Sequence, residues 1–106
     1  MTVQEIDSIE TFNNILSSNS NKLIVIDFNA SWCGPCQYIK PLFHKLAEEN
    51  SDVIFLSVDV DELDELASER GISAMPTFQF VKNGQQLEEL RGASIDHLKE
   101  LVKKYK

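Results

Sequence analysis

Long apolar runs, arginine and cysteine are all scarce in this chain of 106 residues. The longest apolar runs, residues 23–26 and 53–56, hold four residues each, whereas a membrane-spanning helix needs about 20. The chain has only two arginines, and its acidic start shows neither a secretory signal pattern nor the basic composition of a transit peptide. We therefore expect a cytoplasmic protein that does not enter a membrane.

Positive charge is also scarce: the chain has ten Lys and Arg but seventeen Asp and Glu, which gives a net charge of −7. Nucleic-acid binding needs a basic face that contacts phosphates, and anionic membrane surfaces attract basic segments. We therefore expect neither nucleic acid nor a membrane as a partner. The length and the 42% share of hydrophobic residues are typical of one globular domain, so we expect residues 1–106 to form a single domain.

Apolar residues alternate between helical and strand spacing along the first half of the chain. Ser8 can cap a helix whose apolar positions fall on one face. Residues 22–29 and 53–58 are nearly continuous apolar runs, typical of strands that are covered on both sides. Between them, residues 39–46 have the spacing of a buried helical stripe, which Pro41 should kink. The sequence does not decide whether a further strand precedes the first helix.

Turn-forming residues separate the predicted elements in the second half of the chain. Asp61 begins a predicted short helix that stops at Gly71, and two alternating strands flank an Asn83-Gly84 hairpin turn. Ser94 caps a final amphipathic helix. The predicted order places a βαβ half before a ββα half, so we expect an α/β fold with one central mixed β-sheet flanked by helices on both faces.

The two cysteines, Cys33 and Cys36, lie between the first buried strand and the kinked helix, separated by Gly34-Pro35. A helix N-terminus offers unpaired N–H groups and the positive end of the helix dipole, which together lower the pKa of a thiol placed there. Cys36 lies one helical turn further on the same side, so it can attack a mixed disulfide formed by Cys33. This spacing indicates a redox-active dithiol.

Structural explanations for the cysteine pair are weaker. A disulfide across two residues closes too short a loop to stabilise a fold much, and a zinc site needs four ligands. The only other soft ligands, His44 and His97, are far apart in sequence and are expected at exposed helix positions. The acidic run at residues 59–65 lacks the ligand pattern of a calcium loop, so we expect a solvated helix face there. No bound metal or cofactor is expected.

The chain resembles the thioredoxin family over essentially its whole length, and its eukaryotic cytosolic members more than the bacterial ones. The resemblance rests on these segments: Val25-Ile26-Asp27-Phe28, Ala30-Ser31-Trp32-Cys33-Gly34-Pro35-Cys36, Lys40-Pro41, Val58-Asp59-Val60-Asp61, Met75-Pro76-Thr77-Phe78 and Gly84. It implies a thioredoxin fold, an exposed nucleophile at Cys33 and a buried resolving thiol at Cys36. The Gly34-Pro35 bridge is similar to that of the reducing members of the wider family.

The resemblance also implies an activity and partners. It implies a protein-disulfide reductase that works by dithiol–disulfide exchange, contributes to cell redox homeostasis and is re-reduced by thioredoxin reductase with electrons from NADPH. Implied clients are peroxiredoxins, methionine sulfoxide reductases and ribonucleotide reductase. We expect a monomer. A module that holds partners through the cysteine face, with chemistry secondary, is the alternative from another functional class.

Asp27 is a carboxylate inside the apolar run 22–29. If it is buried, desolvation should raise its pKa towards neutrality. The spacing alone leaves open a strand-end Asp that faces solvent. The resemblance implies a buried acid that accepts the proton of Cys36, through a water, as that thiol becomes the attacking group.

A client-binding patch is the last feature that the resemblance implies. It includes a cis peptide bond between Met75 and Pro76, facing the cysteines. The expected members of the patch are small or apolar: Trp32, Gly34, Ala74, Met75, Pro76, Gly92 and Ala93. Taken singly, such residues are more often ordinary packing residues.

Two positions depart from the family pattern. Gln37 stands where a basic residue commonly follows the second cysteine, which should weaken thiolate stabilisation slightly and alter the steering of clients. Ser57 stands where bacterial members often have Lys. The charge environment of Asp27 is therefore not simply that of the bacterial proteins.

Overall fold

A computed structural model describes residues 2–106 of the chain. Within this part, strands and helices alternate in the order that the sequence predicts. The elements are β1 (Val3–Glu5), α1 (Ile9–Ser18), β2 (Ile24–Asn29), α2 (Gly34–Glu49), β3 (Ile54–Asp59), α3 (Asp64–Glu69), β4 (Thr77–Lys82), β5 (Gln85–Arg91) and α4 (Ile95–Tyr105). A strand does precede the first helix: it is β1, a point that the sequence did not decide.

The strands form one mixed sheet in the order β1-β3-β2-β4-β5. Strand β3 runs parallel to both β1 and β2, whereas β4 pairs antiparallel with β2 and with β5. The register of β2 and β3 sets Asp27 beside Ser57 and Asn29 beside Asp59. The carboxyl ends of the two central parallel strands therefore bring four polar residues together.

Helices cover both faces of the sheet, as expected. One hydrophobic cluster joins α2 and α4 to the sheet and includes Val25, Phe55 and Phe78. The other joins α1 and α3 to the opposite face, where Ile26 and Phe28 lie. Because strand side chains alternate between faces, Asp27 leaves β2 on the same side as Val25 and so faces α2.

Two helix caps and one hairpin turn follow the predicted chemistry. The hydroxyls of Ser8 and Ser94 accept backbone N–H groups three residues on, at 3.1 and 3.3 Å. At the hairpin, Asn83 has φ 55° and Gly84 has φ 74°. These left-handed conformations are those that a two-residue hairpin turn requires, and they favour Asn and Gly.

The predicted start of α3 is wrong, because the helix begins at Asp64 and not at Asp61. The side chain of Asp59 accepts the backbone N–H groups of Asp61 and Glu62 at 2.8 and 3.3 Å. Such a side-chain bond to nearby backbone favours a turn over a helix. The residues 60–63 therefore form turns that bring Asp61 towards the cysteines.

Helix α2 begins directly at the cysteine motif. Cys33 is its N-cap, and Pro35 lies in the first turn, where a missing N–H group is tolerated. The helix continues through Pro41 to Glu49; the kink at Pro41 stays a prediction. No helix within residues 2–106 is long and apolar enough to cross a membrane.

Candidate active site

Cys33 and Cys36 form a disulfide at the N-terminus of α2, with their Cα atoms 5.2 Å apart. The backbone N–H of Cys36 also donates to Cys33 Sγ at 3.2 Å. The first sulfur therefore occupies the capping position that side-chain oxygens usually fill. In the reduced protein, the same N–H group and the helix dipole favour a thiolate on Cys33.

The disulfide is covered more fully than the resemblance implied. Cys33 is 5% exposed and Cys36 is 2% exposed. Both pack in a small cluster with Ala30, and Val60 and Met75 lie against it. The expectation of an exposed Cys33 is therefore wrong for the disulfide form, because neighbouring apolar side chains cover its sulfur.

Asp27 is buried on the α2 face of the sheet and is 4% exposed. Desolvation raises its pKa from 3.8 to about 7, against smaller opposing effects of the nearby Asn29 side chain and of the charge of Lys40. Within residues 2–106, its Oδ1 atom has no hydrogen-bond partner. The expected burial and the expected rise of the pKa are both confirmed.

A cavity of about 260 Å³ lies beside Asp27. Helix α2 lines it with Cys36, Lys40 and His44, spaced four residues apart along one face. Asp27 and Ser57 line it from the sheet. His44 is therefore a half-buried cavity residue and not the exposed helix position that was expected, whereas His97 is exposed.

The acidic residues at 59–65 do more than form a solvent-exposed helix face. Asp61 Oδ2 accepts a 2.8 Å hydrogen bond from the indole N–H of Trp32, which is 66% exposed. The turns that start α3 late make this contact possible. No group of three or more His, Cys, Asp or Glu in residues 2–106 is placed to hold a metal ion.

The Met75–Pro76 peptide bond is cis, as the resemblance implied. Pro76 is buried and Met75 is half-buried against the disulfide cluster. The Pro76 carbonyl accepts the backbone N–H of Gly92 at 2.9 Å, which joins two predicted patch segments. Within residues 2–106, the backbone hydrogen bonds outside the helices and strands include none from the N–H or to the C=O of Met75.

The remaining patch residues differ in exposure. Gly34 and Ala74 are exposed, whereas Gly92 and Ala93 are half-buried. Gln37, next to the second cysteine, is exposed and turns its amide back towards the carbonyls of Ala30 and Ser31 at 3.4 and 3.5 Å. This side chain supplies a dipole but no positive charge beside the disulfide.

Asn29 was not among the residues singled out from the sequence. Its Nδ2 atom donates to the Asp27 carbonyl at 3.0 Å and to Ser57 Oγ at 2.9 Å. The signal that could have found it is strand alternation, because a residue two positions after Asp27 in β2 must face the same way. Nothing in the one-dimensional pattern shows that Ser57 meets it from β3.

The comparisons with known proteins agree with this geometry. The Thioredoxin family model matches residues 3–104. The chain belongs to the thioredoxin family. A thioredoxin from Equus caballus is 48% identical over 101 residues, covering 95% of this chain and 96% of its own length. A crystal structure of Schistosoma mansoni thioredoxin is 44% identical, with a TM-score of 0.95 over 99% of this chain and 96% of that one.

A third relative comes from a structural study of the thiol resolving mechanism in yeast mitochondrial 1-Cys peroxiredoxin via glutathione and thioredoxin systems. It is 35% identical, with a TM-score of 0.89 over 97% of this chain and 95% of that chain. Thioredoxins are protein-disulfide oxidoreductases without a bound cofactor, and they work with thioredoxin reductase and disulfide clients. With its Cys33–Cys36 disulfide, this thioredoxin chain is a thiol–disulfide oxidoreductase.

Proposed function

We propose that Cys33 is the attacking thiol and Cys36 the resolving thiol in the reduction of protein disulfides. The Cys33 thiolate attacks one client sulfur, so a mixed disulfide forms and the first client thiolate leaves. Cys36 then loses its proton and attacks the Cys33 sulfur, which breaks the mixed disulfide and releases the second client thiolate. The client gains two electrons and the protein is left with the Cys33–Cys36 disulfide.

The observation that carries this assignment is the position of the two sulfurs on α2. Cys33 caps the helix and its sulfur receives the N–H of Cys36 at 3.2 Å. This arrangement stabilises a thiolate on Cys33 and not on Cys36, which lies inside the helix and is the more buried of the two.

Asp27 is the proposed acceptor of the Cys36 proton. Both residues line the same cavity, which has room for a bridging water. A general base works best when its pKa lies near the working pH, and burial raises the pKa of Asp27 to about 7. The shared cavity and the raised pKa of Asp27 together support its role as the proton acceptor.

The proposed client surface surrounds Cys33 and consists of Trp32, Gly34, Ala74, Met75, Pro76, Gly92 and Ala93. Trp32 offers an exposed aromatic face, held by Asp61. The backbone groups of Met75 make no backbone hydrogen bond within residues 2–106, so they can pair with an extended client segment in the manner of an added strand. Small neighbours at the remaining positions leave room for that segment.

The proposed partners are thioredoxin reductase, which passes on electrons from NADPH, and the clients peroxiredoxin, methionine sulfoxide reductase and ribonucleotide reductase. We place this cycle in the cytoplasm, as part of cell redox homeostasis. The chain is proposed to act as a monomer and as a single domain over residues 1–106, with no role in nucleic-acid or membrane binding. The net charge of −7 is consistent with that last point.

Insulin-disulfide reduction with NADPH and thioredoxin reductase tests the assignment. The wild type should consume NADPH and precipitate insulin, and both Cys33→Ser and Cys36→Ser should stop turnover. The two variants control for each other, because only Cys36→Ser retains the attacking thiol and should accumulate a mixed disulfide with insulin.

The opposite trapping pattern, with the mixed disulfide in Cys33→Ser, would reverse the two roles. An inactive wild type whose serine variants still capture client proteins would favour a binding module instead of a reductase.

A further inference from the structure

We propose that Thr77 is a positioning residue for clients: its buried hydroxyl holds the peptide unit between Ala74 and Met75, so that the Met75 N–H is presented to a client in one direction. The inference rests on the proposed function, in which the backbone of Met75 pairs with an extended client segment. It adds the side chain that orients this backbone, and the orientation itself is measurable in the protein without a client.

Thr77 is a firm support for the segment that precedes it. It is the first residue of β4, and it is paired with Phe28 on β2 and with Arg91 on β5. The residue is 1% exposed, and a β-branched side chain has few rotamers to choose from. Because neighbouring strands hold its backbone and burial holds its side chain, the Thr77 hydroxyl occupies a fixed position.

That hydroxyl bonds to the backbone of the proposed client surface. Thr77 Oγ1 donates to the Ala74 carbonyl at 2.6 Å, within the range of hydrogen bonds between two oxygens. Residues 70–76, between α3 and β4, belong to no helix or strand. Within residues 2–106, the backbone hydrogen bonds outside the helices and strands include none to the Ala74 carbonyl. The Thr77 hydroxyl is therefore the group that holds this carbonyl.

The direction of the Ala74 carbonyl sets that of the Met75 N–H. The peptide unit between these two residues is trans and planar, so its C=O and N–H point in opposite directions. With the carbonyl turned to Thr77, the N–H points away from it and makes no backbone hydrogen bond within residues 2–106. If this unit could rotate, it would present the donor in the direction a client needs for only part of the time, which weakens binding by that fraction.

The peptide unit on the other side of Met75 is held by a different group. The Gly92 N–H donates to the Pro76 carbonyl at 2.9 Å, while the Met75 side chain packs against the disulfide cluster. Of the two hydrogen bonds that flank Met75, the one from Thr77 comes from a side chain. It can therefore be removed by substitution without changing the backbone.

NMR of the backbone amides in the oxidised protein tests the orientation directly. Thr77→Val keeps the volume and loses the hydroxyl, whereas Thr77→Ser keeps the hydroxyl and loses a methyl group. Thr77→Val should change the residual dipolar coupling of the Met75 N–H and lower its order parameter from about 0.85, typical of rigid backbone, towards about 0.6. Thr77→Ser should leave both near the wild-type values. If neither quantity changes in Thr77→Val, the inference is overturned.

Insulin reduction, with thioredoxin reductase in excess, tests the consequence for clients. Thr77→Val should raise KM for insulin about fivefold, the factor that one hydrogen bond of ordinary net strength supplies, with little change in kcat. Reduced Thr77→Val should attack dithiobis(nitrobenzoate), which has no peptide backbone, at the wild-type rate. A variant that had merely loosened the fold would slow both reactions, and that result would count against positioning.

Ser17→Ala is the matched control. Ser17 Oγ also donates to the carbonyl three residues before it, that of Asn14 at 3.2 Å, but this bond lies in α1. A rise in KM of equal size in Ser17→Ala or in Thr77→Ser would overturn the inference. A reoriented Met75 N–H with an unmoved KM would support the hold by Thr77 and refute the pairing of Met75 with clients, whereas an inactive wild type would refute the proposed reductase itself.

Discussion

Replacing Asp27 with Asn should stabilise the protein at neutral and alkaline pH, although it removes a proposed participant in the reaction. Asp27 is 4% exposed, and its Oδ1 atom has no partner among residues 2–106. The folded protein therefore holds its charged form poorly. Asn has nearly the same shape and never ionises, so the variant avoids the cost of burying that charge.

The size of the effect follows from the pKa of Asp27 in the two states. The rise from 3.8 to about 7 corresponds to about 4 kcal/mol, since each pH unit is worth about 1.4 kcal/mol. Below pH 4 the carboxyl is protonated in both states and costs nothing. Between pH 4 and 7 the folded state binds more protons than the unfolded state, so the wild type loses stability as the pH rises. Above pH 7 the full cost is present.

Urea unfolding of the oxidised protein between pH 4 and 9 measures this difference. The gain in the free energy of unfolding of Asp27→Asn over the wild type should grow from pH 4 to pH 7 and then level off, reaching a few kcal/mol. Asp7→Asn, which removes an exposed carboxylate, is the control for the same change of net charge. If the gain at pH 8.5 exceeds that at pH 4.5 by less than about 1 kcal/mol, or is matched by Asp7→Asn, the reasoning from desolvation is refuted.

Three further substitutions test other parts of the structure. Gly84→Ala should cost about 1 kcal/mol in urea unfolding, because the turn holds φ at 74°; an unchanged midpoint would contradict this. Gln79→Leu should cost about 2 kcal/mol in the same assay, because it strips the half-buried Arg70 Nε of its 2.9 Å acceptor. Asp61→Ala should slow insulin reduction by releasing Trp32, yet lower the free energy of unfolding by less than about 1 kcal/mol. A loss of stability clearly larger than this would indicate that Asp61 has a structural role instead.

The fold was accessible from the sequence because its signals are local. Apolar runs predicted β2 and β3, Ser8 and Ser94 predicted two helix starts, and Asn83-Gly84 predicted the hairpin. Each depends on residues within a few positions of one another. The start of α3 was missed because Asp61 has the side chain of a capping residue, whereas α3 begins at Asp64 with Leu63 at its N-cap and no side-chain cap. The Asp59 carboxylate stabilises the turn before the helix instead.

The site was only partly accessible, since it depends on contacts between distant segments. The cysteine pair and the unusual carboxyl at position 27 stand out in the sequence. The bond from Asn29 to Ser57 spans 28 positions and that from Trp32 to Asp61 spans 29, so no local pattern contains them. The coverage of Cys33 and the inward placement of His44 likewise come from how α2 lies on the sheet.

The cavity beside Asp27 gives this molecule two separate approaches to one pair of sulfurs. It is lined by Cys36 and reaches the surface at exposed residues such as Gln37 and Lys40, and it includes none of the proposed client-binding residues. A client seated over Cys33 would therefore leave the cavity beside Cys36 uncovered. If Asp27 accepts the Cys36 proton as proposed, that proton can leave through this cavity while the client is still bound at Cys33.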